Sequence, residues 1–218
     1  MIRLLVYDLD GTLIDSRLDI ANAVNGALKE LGLRELPSER VSGFVGSGVR
    51  NLMQQALKEA ASERLPPLEP AIKLFRRRYG EHLLEHTRLY PAVRKVLEFF
   101  KPRLQAVITN KPQDFSDEIL QGLGINSYFF QVVGGDGKFP KKPAPEPLLH
   151  IINSAGVLAE ETLLIGDSAT DVETGRNAGV KTLAVTYGFG SRSEIEKSKP
   201  YAILNDLTEI FECPLLKT

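Results

Sequence analysis

The sequence predicts an α/β fold, a doubly wound parallel sheet with a small helical domain inserted after the first strand. Two observations carry that prediction. Short apolar, β-favouring runs recur at Ile2 to Tyr7, Leu104 to Thr109, Tyr128 to Val133, Thr162 to Ile165 and Lys181 to Val185, and each after the first follows a helical pattern. Between the first two runs, residues 16–87 read as one helix after another, far more chain than a single crossover needs.

The first run is almost continuously apolar, as expected of a strand buried on both faces of a parallel sheet, and it stops abruptly at Asp8. Ser16-Arg17-Leu18-Asp19 has the spacing of a capping box. It would open a helix with Ile20, Val24, Leu28 and Leu31 on one face, with Gly32 placed to end it. Val49, Leu52, Met53, Ala56, Leu57 and Ala60 repeat at helical spacing, and after Pro66-Pro67 so do Ile72, Phe75, Tyr79 and Leu83. Three such helices can bury one another's apolar faces. The expected division is therefore a core of residues 1–15 and 88–218 and a helical cap of residues 16–87.

Composition narrows the function classes. A chain of 218 residues suffices for one core plus a small accessory domain. Lys and Arg (27) nearly balance Asp and Glu (28), so no global basic field collects nucleic acid or an anionic membrane. The single cysteine, Cys213, cannot form an internal disulfide, and no apolar run approaches the length of a spanning helix. A cytoplasmic protein, monomeric or homodimeric, without nucleic-acid or membrane partners is the expectation.

In an open α/β sheet, ligands bind outside the carboxyl ends of the strands. Here the first strand runs into Asp8-Leu-Asp10-Gly-Thr12, two carboxylates that repel unless a cation joins them. The second ends in Thr109-Asn110-Lys111-Pro112, which offers a hydroxyl, an amide and helix-start N–H groups to an anion. After the third, Lys141-Lys142-Pro143-Ala-Pro145 follows its lysines with prolines at 143 and 145, expected to hold the backbone extended and so aim a lysine. The fourth ends in Gly166-Asp167-Ser168-Ala-Thr170-Asp171, a further acidic cluster of the oxygen-ligand type that suits Mg²⁺.

Together these four clusters, in this order, resemble the motifs of the haloacid dehalogenase superfamily. Asp8, Asp10 and Thr12 match its first motif, Thr109 the second, Lys142 the third, and Gly166-Asp167 with Asp171 the fourth. The Thr109-Asn110-Lys111-Pro112 and Lys142-Pro143-Ala-Pro145 segments are similar to those of its phosphoglycolate phosphatase group. The resemblance implies a Mg²⁺-dependent phosphate monoester hydrolase acting on a small phosphorylated metabolite, 2-phosphoglycolate first among them. Pyrophosphate, a 5′-nucleotide, a sugar phosphate and a related mutase activity are the alternatives. It implies Asp8 as nucleophile and Asp10 as proton carrier. Mg²⁺ would lie on Asp8, the Asp10 main-chain carbonyl and Asp167, and the phosphate on Thr109, Asn110 and Lys142. Thr12, Ser168 and Asp171 would support these groups.

Other readings compete. His82-Leu-Leu-Glu85-His86 has the spacing of an inverted zinc-peptidase motif on one helical face, but no third ligand is evident. A phosphoaccepting signalling module also places acids, a hydroxyl and a lysine at strand ends, yet lacks a cap. Gly46-Ser-Gly48 and Gly188-Phe-Gly190 complete no dinucleotide fingerprint. Arg50, at the start of the second long helix of the insert, is the candidate reader of a substrate carboxylate.

Overall fold

A computed structural model describes residues 1–61 and 65–217. In chain order its elements are β1 (Leu4–Tyr7), β2 (Ile14–Asp15), α1 (Arg17–Glu30), α2 (Ser38–Ser42), α3 (Val49–Ala60), α4 (Leu68–Glu81), β3 (Arg88–Leu89), α5 (Val93–Phe99) and β4 (Leu104–Ile108). There follow α6 (Gln113–Gly122), β5 (Gln131–Val133), α7 (Glu146–Ala155), β6 (Thr162–Gly166), α8 (Ala169–Ala178), β7 (Lys181–Val185), α9 (Arg192–Ser198) and β8 (Ala202–Leu204). The chain divides into two compact units, residues Met1–Asp15 with Leu89–Thr218, and residues Ser16–Arg88.

The larger unit holds a six-stranded sheet in the order β5-β4-β1-β6-β7-β8, with every pairing parallel. β1 is central, in register with β4 through Leu4↔Leu104 and with β6 through Leu4↔Thr162. All four of its residues are buried, because helices cover both faces of a parallel sheet. On one face Leu4, Val6, Ala106, Ile108 and Leu164 pack against Leu148, Ile151 and Ile152 of α7, and each Val, Leu or Ile side chain among them contributes about 1.5–3 kcal/mol by its burial. Two polar side chains inside the unit pair with each other and the main chain: the buried Tyr7 hydroxyl donates to Gln105 Oε1 at 3.0 Å, and Gln105 Nε2 donates to the Leu97 carbonyl at 3.0 Å. β1 is also where the strand order reverses, which opens a crevice at the carboxyl ends of β1, β4 and β6.

The smaller unit is helical. α1 turns Ile20, Ala23, Val24, Ala27 and Leu28 inward and packs on α4, which contributes Ala71, Phe75 and Tyr79. α3 adds Leu52, Met53, Ala56, Leu57 and Ala60. The Phe75 and Tyr79 rings stack at 5.4 Å. Gly32, with φ +71°, follows the end of α1 in the left-handed conformation that the sequence assigned it.

Several expectations are corrected. Ser16 precedes α1 but makes no side-chain cap, and the Asp19 carboxylate is used elsewhere. It accepts the main-chain N–H groups of His86 (3.0 Å) and Thr87 (2.7 Å) and the Thr87 hydroxyl (2.7 Å), tying the end of this unit to its first helix. Burial opposes ionisation of Asp19, but these hydrogen bonds outweigh it and hold the carboxyl below its ordinary range. Leu31 is only half-buried, since the helix has ended before it. α4 stops at Glu81, so His82 and His86 share no helical face; His82 pairs with Glu85 and His86 with Asp19. The run from Tyr128 is a strand only from Gln131, as Asn126–Tyr128 forms a 3₁₀ turn. Pro145 is αR rather than extended and caps α7. β8, a sixth strand, comes from an Ala-Ile-Leu segment too short to stand out as a periodic run.

Candidate active site

Asp8, Thr109 and Asp167 each stand one residue beyond a strand of the crevice, and Lys142 lies in the loop between β5 and α7. Asp8 follows Tyr7, and its N–H continues the ladder onto the Ile165 carbonyl at 2.9 Å, so the carboxylate leaves the sheet at a fixed position. The chain then turns sharply at Gly11, with φ +87°. A Cβ on Gly11 would overlap the Asp167 carboxylate, so glycine is required there for contact as well as for conformation.

Asp8, Asp167 and Asp171 are all buried, and one carboxylate oxygen from each lies within 4.8 Å of the others. Lys142 Nζ reaches into this group, 2.7 Å from Asp8 Oδ1 and 2.6 Å from Asp171 Oδ1. Its side chain is 3% exposed, so little water competes for the ammonium. Burial alone would lower the Lys142 pKa, but Asp171 and Asp8 overcome it and the net shift is upward. Asp171 is fully engaged otherwise: its second oxygen accepts the Ser168 hydroxyl at 2.6 Å and the Ser168 N–H at 3.1 Å, completing a capping box at the start of α8.

Asp167 is held from two sides. The Thr12 hydroxyl donates to Oδ1 at 3.3 Å, and the N–H groups of Phe189 and Gly190 donate to Oδ2 at 2.7 and 3.2 Å. A Cβ on Gly190 would overlap the Asp167 carbonyl oxygen, which is why the loop after β7 can approach so closely only with glycine. Tyr187 anchors the same loop by donating from its hydroxyl to the Thr12 carbonyl at 2.9 Å, while its ring packs 4.6 Å from that of Tyr90.

Electrostatically one ammonium, that of Lys142, faces three buried carboxylates. Burial first, and then repulsion by Asp171 and Asp167, pushes Asp8 up to about 8 despite Lys142; burial and Asp171 push Asp167 up to about 7. Lys142 and Ser168 occupy Asp171, and Asp8 and Asp167 remain as oxygen donors short of positive charge. That donor set fits a small hard divalent ion.

The other wall is built from the end of β4. Thr109 N–H bonds the Val133 carbonyl at 3.0 Å, and its Oγ1 accepts the Lys111 N–H at 3.2 Å. Asn110 makes a reciprocal pair with Lys142: its Oδ1 accepts the Lys142 N–H at 2.9 Å and its Nδ2 donates to the Lys142 carbonyl at 3.1 Å. Lys111 Nζ lies 3.0 and 3.1 Å from the two Asp10 oxygens. The sequence reading assigned no role to Lys111 or to the Tyr187–Gly190 loop. Their signals were present: a lysine inside the second motif, and two glycines just beyond a strand end.

The structure thus brings Asp8, Asp10, Thr12, Thr109, Asn110, Lys142, Asp167, Ser168 and Asp171 together in the larger unit. Arg50 belongs to the helical unit, where it is exposed and pairs with Glu69.

Fold and site together describe an α/β enzyme core with buried carboxylates and a lysine gathered at the end of the central strand. Residues 5–185 match the model of the haloacid dehalogenase-like hydrolases. The chain is 39% identical over 189 residues, 86% of each chain, to the phosphoglycolate phosphatase of Aquifex aeolicus. It is 38% identical over 216 residues to that of Chromobacterium violaceum, covering 97% of this chain and 96% of the other. The crystal structure of a predicted phosphoglycolate phosphatase from Haemophilus somnus superposes with a TM-score of 0.91 at 32% identity, over 97% of both chains. The chain belongs to the haloacid dehalogenase-like hydrolase family.

Proposed function

We propose that this protein is a Mg²⁺-dependent phosphatase that hydrolyses 2-phosphoglycolate through an aspartyl-phosphate on Asp8. The observation that supports it best is the Asp8 carboxylate itself, fixed at the end of the central strand with the Lys142 ammonium 2.7 Å away. The similarity to curated phosphoglycolate phosphatases over nearly the whole chain supports the choice of substrate.

In this reading an Asp8 oxygen attacks phosphorus in line as the P–O bond to the glycolate oxygen breaks, and Asp10 gives its proton to that oxygen. Asp10 then takes a proton from water, the water oxygen bonds to phosphorus, and the P–O bond to Asp8 breaks to release phosphate. Lys142, the Thr109 hydroxyl and the Asn110 main chain hold the transferring oxygens. Asp171 and Ser168 keep Lys142 in place, and Thr12 keeps Asp167 in place. The Asp8 and Asp167 side chains and the Asp10 carbonyl would hold Mg²⁺, which when bound neutralises charge between nucleophile and phosphate dianion. The helical unit would serve as the cap domain that helps select the substrate, and the buried lone Cys213 is in keeping with a cytoplasmic setting.

The test is a substrate panel with Mg²⁺: 2-phosphoglycolate, pyrophosphate, a 5′-nucleotide, a hexose phosphate and p-nitrophenyl phosphate. The expected result is highest kcat/KM on 2-phosphoglycolate, with rapid labelling and release of phosphate on Asp8. Preference for another member of the panel reassigns the substrate. Stable phosphorylation without turnover of any ester would point instead to a phosphoaccepting signalling module.

A further inference from the structure

We propose that Lys111 is a specificity-determining residue that reads an acidic group next to the scissile phosphate ester. This rests on the phosphatase reading above and assigns the substrate's tail to the core unit itself.

The Lys111 side chain is only 4% exposed, so its ammonium is cut off from bulk water and must keep an anionic partner. Its main chain is held on both sides: the Lys111 N–H donates to Thr109 Oγ1 at 3.2 Å, and its carbonyl accepts the Gly135 N–H at 2.8 Å. From that base the buried stem brings Nζ to 3.0 and 3.1 Å from the two oxygens of Asp10.

Asp10 is the group that must meet the leaving-group oxygen. A cation touching Asp10 is then next to whatever that oxygen carries. In 2-phosphoglycolate the carboxylate carbon is two bonds from the ester oxygen, so the carboxylate arrives where the ammonium already is. The second buried lysine, Lys142, is committed to Asp8 and Asp171 and to the phosphate. Lys111 can exchange Asp10 for the substrate carboxylate without ever losing an anion, and the exchange frees Asp10 to approach the leaving oxygen. An ester with a neutral tail offers nothing in exchange and leaves Asp10 held by Lys111. A charge-assisted bond in a dehydrated site supplies discrimination of the order required.

The experiment compares 2-phosphoglycolate with ethyl phosphate, which replaces the carboxylate by a methyl group. Wild type, Lys111→Gln, Lys111→Arg and Arg50→Ala are assayed with saturating Mg²⁺. Lys111→Gln should lower the ratio of kcat/KM for phosphoglycolate over ethyl phosphate by about 10- to 100-fold, and Lys111→Arg should keep part of it. Calorimetry in an Asp8→Asn background removes turnover from the question: adding Lys111→Gln should cost affinity for phosphoglycolate and little for ethyl phosphate. Equal losses on both esters reduce Lys111 to a support of Asp10 and overturn the proposal. So does an Arg50→Ala protein that loses the preference while Lys111→Gln keeps it, since the helical unit would then read the carboxylate. Failure of the wild type on both esters with turnover of another panel member overturns the phosphoglycolate reading, and failure on the whole panel overturns the phosphatase reading; this inference falls with either.

Discussion

The Asn110 side chain grips the main chain of Lys142 at both its N–H and its carbonyl, with bonds of 2.9 and 3.1 Å. This joins the segment after β4 to the loop that carries the ammonium, so an amide distant in sequence helps to place the lysine. Asn110→Ala should therefore act at a distance from the phosphate. It leaves two buried main-chain groups without their partner, at about 1–3 kcal/mol of stability. It should also lower kcat/KM by about 10- to 100-fold on every substrate alike, because an ångström of misplacement is costly in a preorganised site. Thermal unfolding and the substrate panel check both; a loss confined to one substrate would contradict a placement role.

Replacing Asp8 by Asn removes the proposed nucleophile and one proposed metal donor together. Activity should fall below detection while the far-ultraviolet circular dichroism stays native, since the amide fits the same space. Turnover within about tenfold of wild type would show that Asp8 is not the attacking group.

Gly190→Ala tests the loop that the sequence reading passed over. The new Cβ would collide with the Asp167 carbonyl, and the loop must retreat, weakening the two N–H bonds to Asp167 Oδ2. The expected effect is a rise of about tenfold or more in the Mg²⁺ concentration for half-maximal activity, with KM for substrate changing less. A KM effect with unaltered Mg²⁺ dependence would place the loop at the substrate instead.

The strand-end motifs were legible because polar residues interrupt apolar runs at positions that a parallel sheet makes equivalent. Asp8, Thr109 and Asp167 could be aligned without coordinates for that reason. What was not legible depends on contacts distant in sequence. Asp19 was read as a local cap because Ser16 stands three residues before it, but its partners lie at His86 and Thr87. Lys111 looked like one more residue of a helix start, and only the fold shows its ammonium on Asp10. Gly188 and Gly190 read as an incomplete nucleotide loop because their true neighbour, Asp167, belongs to another strand. β8 has three residues and no periodicity to betray it.

Asp10→Asn separates proton transfer from attack. The amide cannot give a proton to glycolate, so turnover of 2-phosphoglycolate should slow by about 10²- to 10⁴-fold. p-Nitrophenolate leaves well unprotonated, and the loss on p-nitrophenyl phosphate should be smaller. Equal losses on both would assign Asp10 to holding Lys111 and the Gly11 turn rather than to proton transfer.

The raised carboxyl pKa values of Asp8 and Asp167 make a prediction about stability without metal. Unfolded, each titrates near 3.8; folded, Asp8 is pushed up to about 8 and Asp167 up to about 7, chiefly by burial. Between those limits the folded chain binds more protons than the unfolded one, so stability falls as pH rises through the window. The stabilising contribution is complete below the unfolded values and is lost above the folded ones. A divalent ion on the two carboxylates reverses the balance, because it favours their ionised forms and binds better as protons leave. In EDTA the melting temperature should therefore decline from about pH 5 to about pH 8, and the gain on adding Mg²⁺ should grow over the same range. An Asp8→Asn, Asp167→Asn double variant should lose most of both trends. A Mg²⁺ effect on melting that is equal at the two ends of the range would show that these carboxylates are not what the ion binds.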